Sequence, residues 1–109
     1  MNKKMNSNNI YQNIKASKEE LFDILVHNGN AKIERIVSSG QVSPKDFWYD
    51  EPLDEWIILI DGKAELLFEN DEKVVLTKGD YLLIPSHRKH RVTYTSSEPV
   101  CIWLAVFFN

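Results

Sequence analysis

The stretch that decides the fold is Gly79-Asp80-Tyr81-Leu82-Leu83-Ile84-Pro85-Ser86-His87-Arg88-Lys89-His90. Gly79-Asp80 is a turn signal that opens a short apolar run, and Pro85 closes that run. Proline ends a strand because it has no N–H to donate to a neighbouring strand. Two of the three histidines of the chain, His87 and His90, follow at once. The pattern predicts a short strand whose end carries side chains that can converge on a ligand.

Short apolar runs separated by turn residues continue on both sides of this stretch. They predict strands at 33–38, 55–60, 63–69, 74–76, 81–84, 91–95 and 100–108. Many short strands with frequent turns are typical of an all-β sandwich or barrel. Asp61-Gly62, between two of these runs, is the strongest short signal for a β-hairpin.

Strand alternation assigns side chains to faces. On the predicted hairpin, one face carries Glu55, Ile57, Leu59, Ala64, Leu66 and Phe68. A carboxylate on such an apolar face is costly unless it is paired, protonated or metal-bound. The same alternation groups His90 with Val92 and Tyr94. We therefore expect Glu55 and His90 to point inward, each near a strand end.

The N-terminal part predicts a tail and one helix. Residues 1–16 are expected to be a polar tail, and residues 17–109 a single domain. Ser17 and Glu20 have the spacing of a capping box, which predicts a helix at about 17–27 that Asn28-Gly29 ends.

Composition narrows the function classes. A chain of 109 residues with a net charge of −3 predicts one domain and gives no electrostatic reason to expect binding to nucleic acid or to an anionic membrane. Its apolar runs are too short to span a bilayer, and its polar N-terminus lacks a signal peptide, so a cytoplasmic protein is expected. The single Cys101 allows no internal disulfide.

On these residues the chain resembles the cupin superfamily, and within it the small single-domain bacterial cupins. Glu55 and Gly62 have the spacing of the glutamate and last glycine of the first cupin motif. Gly79, Pro85 and His90 have the spacing of the second. The resemblance covers roughly residues 30–108 and implies an antiparallel jelly-roll barrel, also called a double-stranded β-helix, next to the predicted helix.

The resemblance also implies a candidate metal site. Metal-binding cupins use two histidines and a glutamate from the first motif and a histidine from the second, and neither first-motif histidine is present here. Glu55 and His90 carry over as candidate ligands, with Asp50 and His87 as substitutes outside the motif. This mixed set would suit Zn, Fe, Mn or Ni. Alternatively, Glu55 and His90 form a buried hydrogen-bonded pair, and His87 faces solvent.

The aromatic residues suggest a small-molecule site. Tyr49, Tyr81, Tyr94 and Trp103 are candidates to line a pocket in the barrel mouth, and packing in the core or at the rim is the alternative. The last strand, 100–108, is apolar on both faces, which indicates cover by a partner subunit or by the helix, and we predict a homodimer.

Three functions remain open. The first is a small-molecule-binding cupin of unassigned activity, with a polar Glu/His site that can hold a divalent metal. The second is a metal-dependent cupin enzyme, of oxygenase or isomerase/epimerase type, acting on a small metabolite. The third is a structural dimer whose pocket has no function.

Overall fold

A computed structural model describes residues 4–109, so the first three residues of the predicted tail lie outside the described part of the chain. No helix occurs among residues 4–109. The strands are β1 (Leu21–Asn28), β2 (Ala31–Ser38), β3 (Asp54–Asp61), β4 (Lys63–Phe68), β5 (Lys73–Thr77), β6 (Tyr81–Ile84), β7 (His90–Thr95) and β8 (Cys101–Phe108). The predicted all-β class is confirmed.

The strands form two antiparallel sheets. One has five strands in the order β1-β2-β8-β3-β6, and the other has three in the order β5-β4-β7. The buried residues that join them in one core are Ile57, Leu59, Ala64, Leu66, Phe68, Leu76, Ile84, Cys101, Trp103, Ala105 and Phe107. The inner faces of both sheets therefore share a single apolar layer, as in a sandwich or barrel.

The predicted helix at 17–27 is wrong, because Leu21–Asn28 is strand β1. A two-residue turn at Gly29-Asn30 folds β1 back onto β2. Ile24 pairs with Glu34 but Val26 pairs with Ile33, which leaves Leu25 as the extra residue of a β-bulge. The extra residue interrupts the alternation of apolar and polar side chains along β1. The apolar residues of β1 therefore have a spacing that resembles that of a helix.

The predicted hairpin at Asp61-Gly62 is also wrong, because β3 and β4 belong to different sheets. The chain crosses from one sheet to the other at Gly62, whose φ is 93°. A Cβ on Gly62 would lie 2.8 Å from the Cα of Cys101. The glycine is therefore required for close approach to β8 rather than for a hairpin turn.

The predicted inner face of β3 and β4 is nevertheless correct. Ile57, Leu59, Ala64, Leu66 and Phe68 are all buried. Alternation continues through the crossing at Gly62, so the inward residues of both strands meet across the core even though the strands do not pair with each other.

The face of β7 changes at a second bulge. Leu66 pairs with Val92, but the preceding Glu65 pairs with Tyr94, so Thr93 is the extra residue. His90 and Thr95 are consequently buried, whereas Tyr94 is 47% exposed. The prediction that Tyr94 shares the inward face of His90 is wrong for this reason.

The N-terminal segment is attached to the outside of the five-stranded sheet through Arg35. Its guanidinium donates to the carbonyls of Ile10 at 3.0 Å and Gln12 at 2.7 Å, and to the carboxylate of Asp23 at 2.8 Å. Within the described residues, the chain forms no helix with the length and hydropathy needed to cross a membrane.

Candidate functional site

A cavity of about 240 Å³ lies between the inner faces of the two sheets. It is lined by Glu20, Phe22, Lys32, Glu34, Ile36, Tyr49, Glu51, Glu55, Ile57, Leu66, Ile84, His90, Val92, Trp103 and Phe107. Pockets for drug-sized ligands hold about 300–1,000 Å³. The cavity thus has the size for a smaller ligand, and its walls combine apolar side chains with several charges.

Glu55 and His90 meet at this cavity. Glu55 lies near the start of β3 and pairs with Ile84 of β6, and His90 begins β7. Their Oε1 and Nε2 atoms are 3.6 Å apart, and the side chains are 12% and 6% exposed, respectively. This distance exceeds that of a hydrogen bond, so the two groups interact through charge across a short gap.

The remaining contacts of His90 fix its ring. Nδ1 lies 2.8 Å from the carbonyl oxygen of Arg88. Because a carbonyl only accepts, Nδ1 carries the donated hydrogen, and Nε2 is the nitrogen that faces Glu55. The ring stacks on Tyr49 at 5.5 Å between centroids and is tilted against Phe68 at 5.9 Å.

The surroundings favour a proton on His90. Burial lowers its pKa, but the Glu55 carboxylate, the Arg88 carbonyl and the more distant charge of Glu51 together outweigh burial and raise the pKa above 6.5. The raised pKa widens the pH range over which an imidazolium faces the Glu55 carboxylate. Such a pair can donate a proton from Nε2 and receive one on the carboxylate, which is what general acid–base chemistry requires.

Three more carboxylates line the cavity, namely Glu20, Glu34 and Glu51. Burial raises the pKa of Glu34, Lys32 lowers it, and the nearby charges of Glu55 and Glu51 raise it again, so that the net direction is upward. The glutamates therefore lie close enough to repel one another in a partly dehydrated space.

His87 and Asp50, two of the candidate metal ligands, do not lie with Glu55 and His90. They pair with each other, with 2.7 Å between Nδ1 of the histidine and Oδ1 of the aspartate. Their side chains are 68% and 42% exposed, and neither residue lines the cavity. His87 lies in the loop between β6 and β7 and has a left-handed backbone conformation, with a φ of 61°.

The structure therefore does not bring the four candidate metal ligands together. Within residues 4–109, no group of three or more His, Cys, Asp or Glu side chains is arranged to hold a metal ion. Catalytic zinc sites use three protein ligands, whereas Glu55 and His90 supply two donors here. Of the four candidates, Glu55 and His90 are the two that lie together at the cavity.

Two of the four aromatic candidates line the cavity, and the other two do not. Tyr49 and Trp103 line the cavity. Burial, followed by the surrounding glutamates, raises the pKa of Tyr49, so its phenol stays neutral. Trp103 donates its indole N–H to Ser38 at 3.2 Å. Tyr81 is 67% exposed, and with Tyr94 it lies outside the cavity.

The sequence analysis missed the cavity residues of β2. Lys32, Glu34 and Ile36 alternate along the strand and all line the cavity. Strand alternation, which assigned Glu55 to the inner face of β3, also puts these three residues on one face of β2. The opposite face of β2, with Ile33 and Val37, is however the more apolar one. Since that face looks like the core side, the charged face would have been assigned to solvent.

Comparison with known proteins places this geometry in a family. Residues 34–107 match the sequence model of the Cupin domain. A structure from Ralstonia eutropha JMP134, named "putative mannose-6-phosphate isomerase", is 37% identical, has a TM-score of 0.91, and aligns over 96% of this chain and 99% of its own. No curated protein matches.

Two more distant structures share the fold alone. A cupin superfamily protein from Desulfitobacterium hafniense DCB-2 is 20% identical with a TM-score of 0.73, over 87% of this chain and 83% of its own. FeII HppE in complex with substrate is 16% identical with a TM-score of 0.68, over 81% of this chain and 53% of its own. The family match and the two-sheet barrel agree with the predicted resemblance, and the chain belongs to the cupin domain family.

Proposed function

We propose that the protein binds a small molecule in the cavity, with Glu55 and His90 as the polar centre of the site. The proposal is carried by the Glu55–His90 pair. Both side chains are almost fully buried and line the cavity, and 3.6 Å separates Oε1 of Glu55 from Nε2 of His90. Burying two ionisable groups costs free energy, which a purely structural pair would recover only with close hydrogen bonds. A ligand that bonds to both groups would recover it.

The walls of the cavity would orient the ligand. Tyr49 stacks on the His90 ring and fixes its position, while Trp103 adds an aromatic surface whose N–H is already bonded to Ser38. The ligand would therefore exchange hydrogen bonds with Glu55 and His90 and pack its apolar part on the aromatic rings. If the bound molecule reacts, the pair can supply a proton from one side and accept one on the other.

A binding panel tests this proposal. Small amines, alcohols, sugars and carboxylic acids would be titrated into the chelator-treated protein and followed by NMR. We expect at least one class to bind, and His90→Gln to weaken that binding at least tenfold with the fold retained. His27→Gln is the matched control, because His27 is exposed on β1 and does not line the cavity. Equal loss in both variants, or no binding by any class, would count against the proposal.

A metal-dependent enzyme is the second candidate, of oxygenase or isomerase/epimerase type. It is favoured by the structure named as an isomerase, which is 37% identical over almost the whole chain. Glu55 and His90 would be the protein donors, and a Zn, Fe, Mn or Ni ion would supply Lewis-acid or redox chemistry. Elemental analysis of untagged protein tests it, with Glu55→Gln/His90→Ala as the comparison. Stoichiometric metal that disappears in the double variant would favour the enzyme.

We also propose a homodimer through the outer face of the five-stranded sheet. On this face Trp56 pairs with Leu83 and Val106, and Ile58 pairs with Tyr81. Leu83 is 52% exposed, and no helix of the described chain covers these side chains. A contiguous apolar face of this kind is typical of subunit contacts. Light scattering at micromolar concentration should give a dimer mass for the wild type and a monomer mass for Leu83→Lys. A monomeric wild type would refute the dimer.

Finally, we propose that residues 17–109 fold as one domain in the cytoplasm and that the segment before residue 17 is a tail. The free, buried Cys101 supports a reducing compartment. Deleting residues 1–16 should leave a cooperative unfolding transition with a lower midpoint, because Arg35 loses two carbonyl partners. Complete loss of folding would show that the tail is part of the domain.

A further inference from the structure

The charges that line the cavity are unbalanced. Four carboxylates, from Glu20, Glu34, Glu51 and Glu55, face one lysine and one histidine. Even with His90 protonated, the cavity has two more negative than positive charges. The mutual repulsion of Glu34, Glu51 and Glu55 is the kind of cost that a bound cation would relieve.

His90 provides a second, independent observation. Its side chain is 6% exposed, and Nδ1 is already bonded to the carbonyl of Arg88. Among the contacts of the described residues, Nε2 has no partner within hydrogen-bond distance, since Glu55 Oε1 lies at 3.6 Å. The Glu55 carboxylate therefore lies at the cavity beside a buried imidazole, and a ligand N–H group can donate to its oxygens.

An ammonium group already contacts one aromatic residue of the cavity wall. Nζ of Lys32 lies 4.7 Å from the centre of the Phe107 ring, which is a cation–π contact. Tyr49 and Trp103 add two more aromatic surfaces to the same cavity. Its walls thus suit a positive group that is attached to a small apolar body.

We infer that the cavity binds a small organic cation, with an ammonium or guanidinium group held by Glu34, Glu51 and Glu55 and an apolar part packed on the aromatic walls. This inference rests on the proposed small-molecule function and specifies its ligand class. A volume of about 240 Å³ has room for about eight water-sized groups. The same carboxylates would repel an anionic sugar phosphate.

Ligands of one shape and different charge test the inference. Benzylamine, which is protonated at neutral pH, would be compared with benzyl alcohol, benzoate and mannose 6-phosphate by calorimetry and NMR on chelator-treated protein. We expect benzylamine to bind at least tenfold more tightly than benzyl alcohol, and the two anions not to bind. Because the attraction is electrostatic, benzylamine binding should weaken as salt increases.

Three variants test which carboxylates bind the ammonium group of benzylamine. Glu34→Gln and Glu51→Gln should each weaken benzylamine binding about fivefold and leave benzyl alcohol unchanged. Glu69→Gln makes the same change in net charge at an exposed loop residue outside the cavity, and should have no effect. Unfolding midpoints of the variants show whether the fold is retained.

The outcomes separate the inference from the function on which it rests. If benzyl alcohol, benzoate or mannose 6-phosphate binds as tightly as benzylamine and His90→Gln abolishes that binding, the cation inference is wrong and the binding function stands. An equal effect of Glu69→Gln on benzylamine would also refute the inference, because general attraction to an acidic protein would explain it. If no ligand of any charge binds, the proposed function fails as well.

Discussion

Replacement of Glu55 by Gln removes the charge that faces His90 and should make the stability of the protein less dependent on pH. Across 3.6 Å, Coulomb's law with an effective dielectric constant of about 20 gives roughly 4–5 kcal/mol between full unit charges. Desolvation of two nearly buried groups offsets much of this attraction. We therefore expect a net coupling free energy of about 1–2 kcal/mol between Glu55 and His90.

The sign of the pH effect follows from the raised pKa of His90. A histidine whose pKa is higher in the folded than in the unfolded state adds stability that is fully present below its unfolded pKa of 6.5. That stability is lost as the pH rises through the folded pKa. The coupling should thus be largest in mildly acidic solution and should disappear at alkaline pH, where His90 loses its proton.

A double-mutant cycle measures this coupling. Wild type, Glu55→Gln, His90→Gln and the double variant would be unfolded with urea in chelator at pH 5.5 and at pH 9. His27→Gln is the control for loss of an exposed histidine outside the cavity. A coupling of equal size at both pH values, or one that grows with pH, would refute the charge interaction and favour a neutral contact.

Three further predictions concern the fold. Gly62→Ala should destabilise the protein by more than about 2 kcal/mol, because the new Cβ would lie 2.8 Å from the Cα of Cys101 at a φ of 93°; an unchanged urea midpoint would contradict this. Leu59→Ala removes a fully buried side chain and should cost about 2–5 kcal/mol in unfolding free energy; a loss below about 1 kcal/mol would mean that the core is not packed as described. Arg35→Met should expose the tail around Ile10 to limited proteolysis, and unchanged cleavage would show that its contacts there are not needed.

Strand alternation was enough to predict the inner faces, but not which strands pair. Glu55 and Leu66 were assigned correctly because side chains alternate whatever the partner strand is. The turn signal at Asp61-Gly62 could not distinguish a hairpin from a crossing between sheets. That choice depends on β3 pairing with β8, whose residues lie far along the chain.

The errors at Tyr94 and in β1 have one physical cause. A single extra residue, Thr93 in β7 and Leu25 in β1, reverses the face of every residue beyond it. Bulges leave no clear mark in a single sequence, so alternation is dependable only up to the bulge. His90 precedes the bulge in β7, which is why its inward orientation was predicted correctly.

Sequence spacing could not show which of the four candidate ligands come together, because two of them lie in loops. Asp50 and His87 lie near Glu55 and His90 along the chain, yet they form an exposed pair of their own. Glu34 was missed because it lies on β2, which is distant in sequence from both motifs.

The most direct test of the account is a benzylamine titration followed on the imidazole resonances of the three histidines. The account predicts a saturable shift of His90 alone, with His27 and His87 unchanged, since only His90 lines the cavity. Shifts confined to the exposed histidines, or none at any of the three, would contradict a binding site at Glu55 and His90.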